Sequence, residues 1–141
     1  VFLFERKAFK TTIFVMAPLL GGVILMIGTM ALTGVRFNFY NIVALPSILG
    51  MGVDNGVHFY ARYREEGRGS VLYVLRTTGA AALMASLTTM EGFGGMLTAD
   101  HRGLYSLGLI SIIGMGTCLY MSVVFLPAWF AYREERHRKT D

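Results

Sequence analysis

The sequence predicts an all-α membrane protein, a four-transmembrane-helix bundle with N and C termini cytoplasmic. Three observations predict it. The 141 residues are 54% hydrophobic and only 16% charged, against about 25% charged in an ordinary soluble domain. Those charges leave four long apolar stretches, each meeting the roughly 20 residues needed to cross about 30 Å of hydrocarbon. The basic residues between them alternate in density, as the positive-inside rule requires of a polytopic chain.

The first span is expected over residues 11–35, where no charge occurs. It carries Pro18 and Gly21-Gly22, tolerated in membranes because neighbouring helices satisfy the freed backbone groups. Arg36 to Asn41 is a short outer connector whose aromatics suit a water interface. The second span is expected over 39–61, bending or starting afresh at Pro46, with Asp54 its one acidic residue. A cytoplasmic interfacial link, 62–76, follows. There Ser70 could cap a short helix laying Val71, Leu72, Val74 and Leu75 on the lipid surface. The third span, 77–99, holds Glu91, and the fourth, 104–132, is uncharged and ends at Pro127-Ala128-Trp129-Phe130. The whole of 1–141 reads as a single transmembrane domain.

Arg6, Lys7 and Lys10 precede the first span; Arg62, Arg64, Arg68 and Arg76 follow the second; Arg133, Arg136, Arg138 and Lys139 follow the fourth. The outer connectors carry only Arg36 and Arg102. These placements put the basic loops in the cytoplasm and account for the net charge of +4 without nucleic acid. The opening Val1-Phe2-Leu3-Phe4 reads as the tail of an earlier membrane helix, and the chain as a fragment. Cys118, the sole cysteine, reads as a small apolar packing residue.

Two carboxylates inside spans stand out. A charge there costs about 2.5–3.5 kcal/mol on insertion scales and normally marks an ion or substrate path facing the bundle interior. Asp54 is expected about one turn to the cytoplasmic side of mid-membrane, as a reversible proton carrier. His58, four residues on and on the same helix face, is an imidazole that could pass protons onward or simply make interfacial hydrogen bonds. Asn55 points about 100° away and suits packing between helices. Glu91 is expected on the other side of the midplane, about 9 Å from Asp54 in depth, too far for direct pairing. Thr88 and Thr89 lie between them and could relay through their hydroxyls, or bond back to their own helix. Gly52 and Gly56 form a GxxxG pair that permits close helix approach. Asp100, His101 and Arg102 read as a solvated outer turn.

Phosphate-binding GxxxxGK[ST], HExxH and GxSxG sequences are absent from the chain, and one cysteine cannot build a zinc site. The chain is therefore expected not to be an enzyme, with no cofactor and no metal, its energy source a proton gradient. Intramembrane aspartyl proteases need a second aspartate within a span, and none occurs.

Asn41-Ile42-Val43-Ala44-Leu45-Pro46, Gly50-Met51-Gly52-Val53-Asp54-Asn55-Gly56-Val57-His58 and Arg62-Tyr63-Arg64-Glu65-Glu66 resemble one helix of resistance–nodulation–division exporters. The branch is that of the large mycobacterial-type lipid exporters and hopanoid exporters. Ser86 to Thr89, Gly92-Phe93-Gly94 and Asp100 to Gly103 resemble the next helix, and Leu126-Pro127-Ala128 the last. The resemblance implies the ninth to twelfth helices of a twelve-helix exporter, with the family's proton-carrying aspartate at Asp54. Where many relatives follow it with tyrosine, this chain has Asn55, closer to the hopanoid branch; Glu91 has no counterpart to carry over.

The implied function is the C-terminal proton-relay portion of a proton-driven exporter of lipids or other hydrophobic molecules in the bacterial inner membrane, not active alone. Expected partners are membrane lipids, the hydrophobic substrate, and the exporter's N-terminal half and periplasmic domains, in the same or another chain. The alternative is a lipid- or sterol-sensing membrane module without transport activity, which need not titrate Asp54.

Overall fold

A computed structural model describes residues 6–67 and 69–138; Val1–Phe4, Arg68 and Lys139 lie outside them. The described chain is an all-α membrane bundle. Helix α1 runs Arg6–Thr33 through Pro18 and stops at Gly34, whose φ of 72° favours glycine. Thr29 and Thr33 donate to the carbonyls of Leu25 and Thr29, both at 2.8 Å, which keeps two hydroxyls satisfied on an apolar helix.

The expected second span is divided. A single turn, α2 (Phe39–Ile42), is followed by turn residues 43 and 44. Then α3 (Leu45–Glu66) begins with Pro46 in its first turn, where the missing N–H costs nothing. Pro46 thus starts a fresh helix rather than bending one.

The link expected over 62–76 is a correction. Helix α3 continues to Glu66 and stops at Gly67, φ 82°; only about one turn of irregular chain follows. Arg62 pairs with Glu65 at 3.2 Å and Glu66 at 2.8 Å, holding this last turn in helical register. The chain then runs without a break through α4 (Val71–Val74), a π turn (Leu75–Gly79), α5 (Ala80–Gly94) and a 3-10 turn (Gly95–Thr98). Ser70 precedes α4, yet its hydroxyl donates back to the Gly67 carbonyl at 2.6 Å rather than capping forward. Val74 is buried with Phe59, Leu126 and Phe130, and Val71 and Leu75 pack on that cluster. Only Leu72 and Tyr73 are open, because i, i+3, i+4 spacing places 71, 74 and 75 on one stripe and that stripe meets protein.

Helix α6 (Arg102–Arg138) is the hub, packing against α1, α3 and α5, while α3 also packs on α1 and on 71–79. One core joins Leu19, Met26 and Met30 of α1, Ala44 and Ile48, and Ile110, Met115 and Cys118 of α6. Three segments are long and apolar enough to cross a membrane: Val15–Thr33, Val71–Thr98 and Arg102–Tyr132. Helix α3 has the length, 22 residues, but its glycines, Asp54, Asn55 and His58 dilute it.

The turn Asp100 to Arg102 is exposed, as a solvated turn should be, and is also ordered by its contacts. His101 stands before α6, and its Nδ1 accepts the Gly103 N–H at 3.1 Å, satisfying one of the donors a helix start leaves unpaired. Tyr40 meets the His101 ring edge-on at 5.7 Å, and Asn38 Nδ2 donates to Ser106 Oγ at 2.8 Å. These contacts fix the connector against the start of α6.

Candidate functional site

Helix α3 has two opposite faces. Its buried residues are Ile48, Gly52, Gly56 and Phe59, which at about 100° per residue fall on one narrow arc. A Cβ at Gly52 would lie 2.6 Å from Leu19 Cδ1 and 3.3 Å from Cys118 Sγ; one at Gly56 would lie 2.7 Å from the Val15 carbonyl oxygen. The two glycines therefore bring α3 against the backbone of α1 and the side chain of Cys118.

Asp54 sits two residues from each glycine, about 200° around the helix, and is exposed. The sequence placed such a carboxylate in the bundle interior; the structure leaves it exposed on the side of α3 opposite the face buried against α1 and α6. His58, one turn on, shares that exposed face, and Asn55 is half-buried at its margin. Among the described residues no hydrogen bond or ion pair holds the side chain of Asp54 or His58.

Depth follows from the neighbours. Gly52 lies beside Cys118, which is near the centre of the apolar stretch Arg102–Tyr132. Asp54 is two residues further along a parallel helix, so it is level with the middle part of that apolar stretch. The Phe93 carbonyl lies against Gly108, and α5 runs antiparallel to α6, which sets Glu91 level with about Ile110 and Asp54 level with about Tyr120. Ten residues of α6 separate the two levels, roughly 15 Å, more than the 9 Å read from span lengths.

Glu91 and Thr88 are exposed together on α5, while Thr89 is half-buried about 100° away. Thr88 donates to the Met84 carbonyl at 2.9 Å and Thr89 to the Ala85 carbonyl at 3.0 Å, the local bonding open to any helical threonine. Helix α3 packs on the inner part of the third segment, residues 71–79, whereas α5 packs chiefly on α6. The structure thus brings Asp54 and His58 together, and Thr88 and Glu91 together, as two separate polar surfaces. The missing signal was azimuth: Gly52 and Gly56, once read as the packed edge of α3, put Asp54 opposite.

No group of three or more His, Cys, Asp or Glu able to hold a metal ion occurs among the described residues.

Comparison with known proteins identifies the family. Over 121 residues, 86% of this chain and 14% of the relative, it is 31% identical to the hopanoid transporter HpnN of Burkholderia multivorans. It is 32% identical to the hopanoid transporter HpnN of Rhodopseudomonas palustris over 80% of this chain and 13% of that one. A membrane protein of Methanocaldococcus jannaschii is 29% identical over 90% of this chain and 34% of its own length. The chain thus spans between about a seventh and a third of the length of these three relatives. No solved structure matches. The hopanoid transporters meet the expectation of a resistance–nodulation–division exporter of the hopanoid branch. Residues 1–133 match the family described as protein export membrane protein SecD/SecF, C-terminal, and the chain belongs to that family.

Proposed function

We propose that this chain is the C-terminal proton-relay portion of a proton-driven exporter of lipids or other hydrophobic molecules, seated in the bacterial inner membrane with both termini cytoplasmic. The observation that carries the reading is the Asp54 carboxylate, level with the middle part of the apolar stretch of α6 and exposed on the side of α3 opposite its buried face. A charge facing lipid there is costly, so the face is complete only when polar groups of another helix cover it. The exporter's N-terminal half, in the same or another polypeptide, is the covering partner, and the periplasmic domains carry the substrate.

Asp54 binds and releases the proton, and His58 passes it toward the cytoplasmic end of α3. Protonation removes the buried charge and favours a different packing of the two halves, the bistable element that transport needs. Gly52 and Gly56 let α3 stay in contact with α1 through that change. Thr88 and Glu91 form a second polar surface that joins the path through the partner half, because α5 does not itself lie on α3; Thr89 and Asn55 support packing. The proton gradient is the only cofactor. Reaction chemistry is not required of any of these groups, and the relatives are transporters rather than enzymes.

Difference infrared spectroscopy of the intact protein in membranes tests this directly. A carboxyl band that titrates and vanishes in Asp54→Asn is expected, together with loss of proton-coupled export in the same variant. An Asp54→Asn protein that exports at the normal rate would sink the proposal.

A further inference from the structure

The segment Val71–Thr98 changes its winding at both ends of α5. On the inner side is the five-residue π turn Leu75–Gly79, and on the outer side the four-residue 3-10 turn Gly95–Thr98. Fifteen residues of ordinary helix lie between them. A π turn accommodates an extra residue, whereas a 3-10 turn is drawn out, rising about 2.0 Å per residue rather than 1.5 Å. The inner end therefore stores slack and the outer end is stretched.

Both ends of the segment are closely packed. A Cβ on Gly79 would stand 3.2 Å from Phe59 Cζ, and Val74 is locked in the cluster of Phe59, Leu126 and Phe130. At the outer end a Cβ on Gly108 of α6 would meet the Phe93 carbonyl at 2.7 Å and Met96 Cβ at 3.0 Å. Between the two ends α5 lies along α6, with Met90 and Phe93 against the core but little of it fully buried. Ser86 is the one buried residue of α5, and the Met90 side chain reaches Gly116 at ordinary contact distance, 3.5 Å from a Cβ there.

We infer that α5 is a screw segment: relaxing the π turn and the 3-10 turn together to ordinary α-helical winding carries Ala80–Gly94 one residue along its own helical path. The slack released at the inner end is taken up at the outer end, so Val74 and the chain beyond Thr98 keep their places, while Gly79 leaves Phe59 and the Gly92 carbonyl takes the place of the Phe93 carbonyl against Gly108. The step is a rotation of about 100° and an outward advance of about 1.5 Å. Each residue takes the place of its successor. Thr88 leaves the open face for the half-buried position now held by Thr89, and Met90 emerges where Glu91 stands. The step changes which side chains α5 shows to its surroundings, and it holds whether or not Asp54 carries a proton.

Spin labels at single cysteines test the step in the intact protein, with Cys118→Ala as background and Thr88→Cys and Met90→Cys as label sites, reading oxygen accessibility in lipid bilayers. Two spectral components are expected at both sites, accessible and shielded, in opposite proportions. Deleting Thr78 removes the extra residue and leaves α5 in its present phase, so the minor component should vanish. Gly79→Ala favours regular winding and presses on Phe59, and should raise the minor component at least twofold; it serves equally if the deletion fails to insert. A single component at both sites, unmoved by either change, would overturn the inference by showing a static bulge.

Discussion

Two glycines on the same helix separate packing from propensity. A Cβ at Gly56 would lie 2.7 Å from the Val15 carbonyl oxygen, whereas one at Gly50 would meet nothing within 4 Å. Ordinary Cβ contacts begin at 3.4 Å, so Gly56→Ala forces α3 and α1 apart by about 0.7 Å, the difference between 3.4 and 2.7 Å. The yielding atom is backbone, so no rotamer change relieves it. A radial gap of 0.5–1 Å forfeits about a quarter to a half of each dispersion contact along the interface, and overpacking of this kind costs about 1–3 kcal/mol. Both substitutions gain the same helix propensity, up to about 1 kcal/mol, which cancels between them. Gly56→Ala should therefore be less stable than Gly50→Ala by about 1–3 kcal/mol, read as the difference in midpoint on titration with sodium dodecyl sulfate in mixed micelles. Equal stabilities would refute the close approach of α3 to α1, and with it the orientation assigned to Asp54.

Three further outcomes are expected. Phe59→Ala empties the most buried aromatic position and should cost about 3 kcal/mol in the same titration, loosening α3 from 71–79. His101→Ala loses the acceptor for the Gly103 N–H and should cost about 0.5–1.5 kcal/mol, with His101→Asn restoring part of it because asparagine caps well at that position. Among the described residues the Ser122 hydroxyl is buried without a partner, so Ser122→Ala should be neutral or stabilising by about 1 kcal/mol; a clear loss of stability would show that the hydroxyl is satisfied by water.

The all-α bundle of long apolar helices was legible because charge excludes itself from apolar stretches, and the roughly 30 Å hydrocarbon core sets their length; the 62–76 connector was not, because charged residues also continue a helix past an apolar stretch. Pro46 was legible as a break, a bend or a fresh start, for a local steric reason, and the structure chooses the start. What windowed composition does not carry is rotation about a helix axis. Asp54 was therefore placed on its helix by sequence, but its expected inward face is not the one the structure gives it. The same blindness set Val71, Val74 and Leu75 toward lipid, although their spacing is equally that of a stripe buried on Phe59. The π turn left no mark at all: Leu75-Arg76-Thr77-Thr78-Gly79 is compatible with plain helix, and only the structure shows that the turn ends where Gly79 lies against Phe59. Depth differences were also underestimated, because span ends are softer markers than the contacts Gly52–Cys118 and Gly108–Phe93.

The hub position of α6 bears on how the bundle is made. Its 37 residues supply the surface on which α1, α3 and α5 all rest, yet they leave the ribosome after every one of those helices. Until they arrive, α5 has only the short stretch 71–79 against α3 to hold it, and the buried sides of α1 and α3 lie open to lipid along most of one flank. Membrane insertion of the first three segments and their consolidation are thus separate events, the second waiting on the last helix. An insertase or chaperone that shelters half-built helices would find its substrate in that interval.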